Sequence, residues 1–166
     1  MPDTLVINTG PIISLAEVGA LEIVHQLPLR FITTDVVQAE ILQGMDQEHH
    51  LFQWPEWLEV LSLRQPLQPL VTVNLDAGEA SVIQLAIEQS LDTVCIDEIK
   101  GRRCAKALGI GHWALGLNVT GSLGLLASAK RMRFIDTVRP WVEAMQSCGT
   151  WFHPTLVARL LAELDE

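Results

Sequence analysis

Short apolar runs alternate with helix-period segments along most of the chain. Thr4-Leu-Val-Ile-Asn8 opens the series: an aliphatic run ends in a polar residue, then turns through Thr9-Gly10-Pro11 into a helical pattern. Arg30–Thr33, Val60–Leu63, Thr93–Ile96 and Leu117–Val119 are further runs of this kind. Apolar stretches this short, bounded by turn signals, suit strands covered on both faces. Between them the spacing predicts helices over Pro11–Gly19, 21–26, Asp35–Gln43, 77–90, Glu98–Leu108 and Ser122–Arg131. Two more follow, Thr137–Gln146 and one entered through His153-Pro154. Pro11 sits in a first turn, where its missing N–H costs nothing. Asp76 and Glu79 have capping-box spacing. Gly44 and Gly109 read as helix stops, and Trp54-Pro-Glu-Trp57 as the start of a short helix. Strands alternating with helices predict an α/β protein with a parallel sheet of four or five strands, helices on both sides and right-handed crossovers.

Length and composition narrow the class. The 166 residues read as one domain, with 137–166 a helical extension at its C-terminal end. An apolar share of 49% excludes a disordered chain. The net charge of -9 argues against a nonspecific nucleic-acid coat, but it is unevenly spread. Residues 97–139 hold eight of the eleven basic side chains and are +5, leaving -14 elsewhere. Three cysteines without metal-type spacing fit a reduced, cytoplasmic protein, and no signal peptide is expected. The uncharged stretch 107–129 has the length of a membrane span, but glycines and polar residues break it into a loop, a strand and a helix start. No membrane association is expected.

The chemistry is expected at one edge of the sheet. Asn8 and Asp97 each follow a strand, so in a parallel sheet both face its C-terminal edge. Glu79 lies in the first turn of the helix before the Asp97 strand, and Glu40 one turn further down its own helix. Carboxylates gathered in one cleft repel one another, and a hard cation with oxygen ligands, Mg²⁺ or Mn²⁺, best explains them. Such an ion polarises a phosphodiester and activates water. Glu40, Glu79 and Asp97 are the candidate catalytic acids, with Asn8 a further metal ligand. Arg102 and Arg103, a turn beyond Asp97, would hold a nucleic-acid backbone. Each position also has a plainer reading: Asp97 as a helix cap, Glu79 as a capping-box partner, Glu40 as a surface acid, Asn8 as a turn residue. Thr120 and Ser122 would touch a phosphate or cap the helix at 122. Lys130 would lie on the same backbone or simply be solvated at a helix end.

Several pieces together resemble the PIN domain family, specifically predicted nucleic-acid-binding proteins related to the toxins of toxin–antitoxin pairs. They are Val6-Ile-Asn-Thr-Gly-Pro-Ile-Ile-Ser-Leu-Ala16, Ile32-Thr-Thr-Asp-Val-Val-Gln-Ala-Glu-Ile41, Leu75-Asp-Ala-Gly-Glu-Ala80, Ile96-Asp-Glu98 with Gly101-Arg-Arg-Cys-Ala105, and Val119-Thr-Gly-Ser-Leu-Gly-Leu-Leu126 with Ala129-Lys130. The likeness runs over about residues 4–139. It implies a three-layer α/β/α sandwich and a Mg²⁺- or Mn²⁺-dependent ribonuclease acting on RNA. It puts the family's acids on Asn8, Glu40, Glu79 and Asp97, with Glu98 a helper. It also implies a homodimer and, for toxin members, an antitoxin covering the cleft. Asn8 departs from the pattern: an amide offers a metal its carbonyl oxygen but no charge. The leading expectation is a metal-dependent ribonuclease, which the resemblance extends to the toxin of such a pair. The alternative is a catalytically impaired PIN-like module that binds RNA or a protein partner. A flavodoxin-like small-molecule protein would need a phosphate loop after strand one, and Thr9-Gly10 is too little for it.

Overall fold

The structure is a computed structural model and describes residues 2–48, 52–68, 75–112 and 117–166. Five strands form one sheet: β1 (Asp3–Ile7), β2 (Leu29–Thr34), β3 (Glu59–Leu61), β4 (Thr93–Cys95) and β5 (Asn118–Thr120). Their spatial order is β3-β2-β1-β4-β5, and every neighbouring pair is parallel. Leu5 is level with Phe31 on one side of β1 and with Thr93 on the other. Leu5, Val6, Ile7, Phe31, Ile32, Val94 and Cys95 are all buried, as expected of central strands with both faces covered.

The helices are α1 (Thr9–Glu17), α2 (Leu21–His25), α3 (Asp35–Glu48), α4 (Ala77–Glu88), α5 (Ile99–His112), α6 (Ser122–Arg131), α7 (Arg139–Ser147) and α8 (Pro154–Glu163). They flank the sheet as the outer layers of a three-layer sandwich. The central one is α4, which packs on β1, β2, β4 and α3. Every residue from Gly78 to Ala86 is buried, so this helix is covered all round rather than amphipathic. Two of its buried polar side chains are paired: Ser81 Oγ lies 2.7 Å from Thr34 Oγ1, and the Gln84 amide donates to the carbonyls of Gln65 and Pro66. The capping box at its start is complete, with the Glu79 N–H donating to Asp76 Oδ1 at 2.8 Å.

Several boundaries differ from the sequence reading. Gly44 and Gly109 do not stop their helices: α3 continues to Glu48 and α5 to His112. A glycine costs a helix about 1 kcal/mol, which neighbouring turns absorb. Trp54-Pro-Glu-Trp57 forms a turn, not a helix, held by the Leu58 N–H to Pro55 carbonyl bond and by Trp54 Nε1 donating to the Leu58 carbonyl. Strand β3 begins one residue early and β5 is displaced one residue along, because ladder partners rather than apolarity set their ends. Within 107–129, the described residues are the end of α5, then β5 and most of α6. Among the described residues no helix is long and apolar enough to cross a membrane.

Candidate functional site

The strand order places a topological switch point beside β1. The chain steps outward from β1 to β2 and β3, then returns to β4 on the other side. In open parallel sheets the crevice for a ligand lies beyond the C-terminal ends of the strands flanking such a point. Asn8 directly follows β1, and Asp97 follows β4 after Ile96. The Asn8 N–H donates to the Cys95 carbonyl and the Ile96 N–H to the Thr120 carbonyl, both at 3.0 Å. Backbone bonding thus runs past the strand ends and holds this rim in register.

Two groups of acids occupy the rim, with different partners. The first is centred on Glu79. Its side chain is only 4% exposed, and Oε1 is buried with no hydrogen-bond partner. Oε2 accepts a long bond, 3.4 Å, from the Asp76 N–H. Burial, then the negative charge of Asp76, pushes the Glu79 carboxyl above its ordinary range; that N–H pulls the other way, and Glu98 and Glu40 add to the rise. Glu40, Glu79 and Glu98 therefore share one electrostatic neighbourhood. Glu40 reaches across from α3: Oε2 accepts from Thr9 Oγ1 at 2.6 Å and Oε1 from the Gly78 N–H at 2.9 Å. It ties the start of α1 to the start of α4. Asn8 is 3% exposed, more deeply placed than the rim position expected from sequence, and its Oδ1 is the other buried side-chain oxygen without a partner among the described residues.

The second group is centred on Asp97. Its two oxygens accept from Ser122, Oδ1 from the N–H at 2.8 Å and Oδ2 from the hydroxyl at 2.6 Å. Asp97 therefore caps α6 from across the rim. Burial raises the Asp97 carboxyl, while the two Ser122 bonds and the Arg102 guanidinium oppose that rise without cancelling it. Arg102 donates from Nη1 to the Ile96 carbonyl at 2.9 Å.

A glycine stands behind each acid. A Cβ on Gly78 would collide with Glu40 Oε2, one on Gly101 would lie 2.8 Å from Glu79 Oε1, and one on Gly121 would lie 2.5 Å from Asp97 Oδ1. Each carboxylate lies so close to the glycine that a Cβ there would make it shift. These glycines and Thr9 are the contributors that sequence reasoning missed. Their signal was present in Asp-Ala-Gly-Glu, Gly-Arg-Arg and Thr-Gly-Ser, but nothing local says that a distant carboxylate will lie against them.

A cleft of about 1070 Å³ opens beside Asp97 and Glu98, lined also by Lys100, Arg102, Thr120 and a wall from the C-terminal region. Asn8, Glu40 and Glu79 lie outside its lining. Arg103 is exposed on α5. Ser122 is fully buried with its hydroxyl on Asp97, and Gly121 rather than Ser122 is the N-cap of α6. Lys130 donates to the Leu164 carbonyl at 2.6 Å and to Glu166 Oε1 at 2.7 Å. Among the described residues no three or more His, Cys, Asp and Glu side chains group as a set able to hold a metal ion.

Similarity to known proteins agrees with this architecture. No curated protein and no solved structure shows significant similarity to the chain. A family model described as a PIN domain matches residues 4–166, which takes in both acid groups and the C-terminal wall of the cleft. The chain belongs to the PIN domain family.

Proposed function

We propose that this protein is an RNA-binding PIN-domain module whose capacity for hydrolysis is weakened at its metal ligands. The observation that carries the reading is the state of the four rim residues. Asn8 supplies no charge, while Glu40 and Asp97 give both carboxylate oxygens to hydrogen-bond donors of the protein itself. A hard cation would have to compete with those donors for its ligands. Lys100, Arg103 and Lys106, exposed on α5, supply the attraction for phosphate.

One feature supports metal-dependent ribonuclease activity as the second reading. Asn8 Oδ1 and Glu79 Oε1 are acceptors only, buried and unpartnered, which fits a divalent cation in chemical type. Mg²⁺ or Mn²⁺ there would be held by Asn8, Glu79 and, on release of their present partners, Glu40 and Asp97, with Glu98 beside them. When bound, such an ion polarises a phosphodiester and acidifies water. The Arg102 guanidinium favours the charged form of Asp97, and Thr9 and Gly78 hold Glu40 at the rim until a cation displaces them.

The Asn8→Asp variant separates the two. Under the first reading, calorimetric Mn²⁺ affinity rises at least about tenfold on restoring the charge, and the parent binds RNA in EDTA without cleaving it when metal is added. Metal-dependent cleavage by the parent, abolished by Asp97→Asn, would overturn it in favour of the nuclease.

A further inference from the structure

The cleft beside Asp97 has a wall that the acid constellation does not use. It is formed by residues 148–153, the non-helical link between α7 and α8. Trp151 on this link is 69% exposed, the most exposed large hydrophobic side chain among the described residues. Ile13, Ile99 and Leu156 are exposed in the same cleft, so the apolar surface here is concentrated rather than scattered.

The link is built to present the ring. Before Trp151, the Thr150 N–H donates to the Met145 carbonyl at 3.0 Å, and its hydroxyl donates to Ser14 Oγ at 3.2 Å. After it, Phe152 is buried and His153 caps α8, accepting at Nδ1 from the Thr155 N–H. His153 also meets the Trp151 ring edge to face, with centroids 5.9 Å apart at 79°. An indole anchored at both flanks and left open to solvent presents a rigid aromatic surface at little cost in ordering.

We infer that Trp151 is a stacking platform for an unpaired nucleobase of RNA, with the adjoining phosphate taken by Lys100 in the same cleft. The inference rests on the RNA-binding reading above and names the contact that would carry it. Every base has a π-face, so a bare aromatic ring binds single strands without needing a sequence. Lys100 is exposed and lines the cleft, and Arg103 and Lys106 continue the positive charge along α5. The acids Glu17 and Glu98 also line the cleft. They repel phosphate, but accept from the amino groups that adenine, cytosine and guanine carry. Phosphate is therefore drawn to the α5 side, and a neutral base suits the wall that bears Trp151.

The test is fluorescence anisotropy of a labelled oligoadenylate in EDTA, compared with a duplex RNA of equal length. Trp151→Ala should weaken single-strand binding about tenfold or more, while Trp151→Phe keeps most of it. Lys100→Ala should weaken it less and flatten its salt dependence. Duplex binding should be the same for parent and Trp151→Ala, since paired bases are not free to stack. Melting temperatures of the exposed-site variants should match the parent. Equal single-strand affinity in Trp151→Ala would overturn this inference and leave RNA binding standing. Equal losses on duplex and single strand would also overturn it. So would self-association of the parent in sedimentation that Trp151→Ala abolishes, because the ring would then serve a second copy. A parent that binds neither RNA would overturn both proposals.

Discussion

Glu79 and Glu166 are both carboxylates with little solvent exposure, and the protein treats them in opposite ways. Glu166 accepts from Lys130 Nζ, the Val138 N–H and the Arg139 N–H, which joins the start of α7 to the end of the described chain. Burial works against its ionisation, but these donors win and hold the carboxyl at about 2. Glu79 has a single long bond to oppose it, so burial and then its acidic neighbours push its carboxyl up instead. The Glu166 site is a clamp whose charge stabilises the fold. The Glu79 site, with its unpartnered oxygen beside the switch point, is destabilised in the free protein, a common mark of positions kept for a ligand.

The largest expected effect is on the clamp. Glu166→Ala leaves an ammonium and two amides without their acceptor and should cost about 2–3 kcal/mol in urea unfolding. A loss below about 0.5 kcal/mol would show that water replaces Glu166 freely. The clamp also sets an acid limit. Because the folded carboxyl is held at about 2 and the unfolded one near 4.5, its contribution is complete above about 4.5 and is lost as pH falls toward 2. Glu166→Gln should flatten stability over that window, as read from urea midpoints at stepped pH.

Next comes Gly78→Ala, whose methyl group would push the Glu40 carboxylate off Thr9 and the residue-78 N–H and should destabilise by about 1–2 kcal/mol. Gly10→Ala is its control: nothing lies within 4 Å of the new Cβ, and the change should be neutral or stabilising by up to about 1 kcal/mol. Equal effects would mean that the glycine behind Glu40 is incidental.

The smallest effect sharpens the comparison from the other side. Glu79→Gln removes a poorly solvated charge and should raise stability at neutral pH by about 1 kcal/mol, roughly 2–4 °C in melting temperature. The sign follows from the raised carboxyl. The folded state holds its proton to higher pH than the unfolded state, so stability falls as pH rises from about 4.5 through the folded value. Glu79→Gln should abolish that fall. A variant less stable than the parent at neutral pH would show that the charge is compensated after all.

Much of the scaffold was legible because burial leaves a local trace. The apolar runs of β1, β2 and β4 mark strands covered on both faces, and Asp76 with Glu79 marks the start of α4 through a bond between residues three apart. Helix α6 runs from Ser122 after Thr120-Gly121 to the basic pair Lys130-Arg131, the bounds its local sequence predicts. Gly44 and Gly109 misled because a glycine's local cost is small beside the packing of the helix that contains it.

By itself the sequence determined the parallel α/β architecture and which residues could reach the C-terminal edge, since period, caps and strand ends are short-range matters. Only the tertiary structure decided who meets whom there. Ser122 takes Asp97, Thr9 and Gly78 take Glu40, and Lys130 takes Glu166. It also brought Trp151 to the cleft beside Asp97. Partner choice depends on distance in space between groups far apart in the chain, and a carboxylate's pKa on the donors and charges within a few ångströms, neither of which residue order alone specifies.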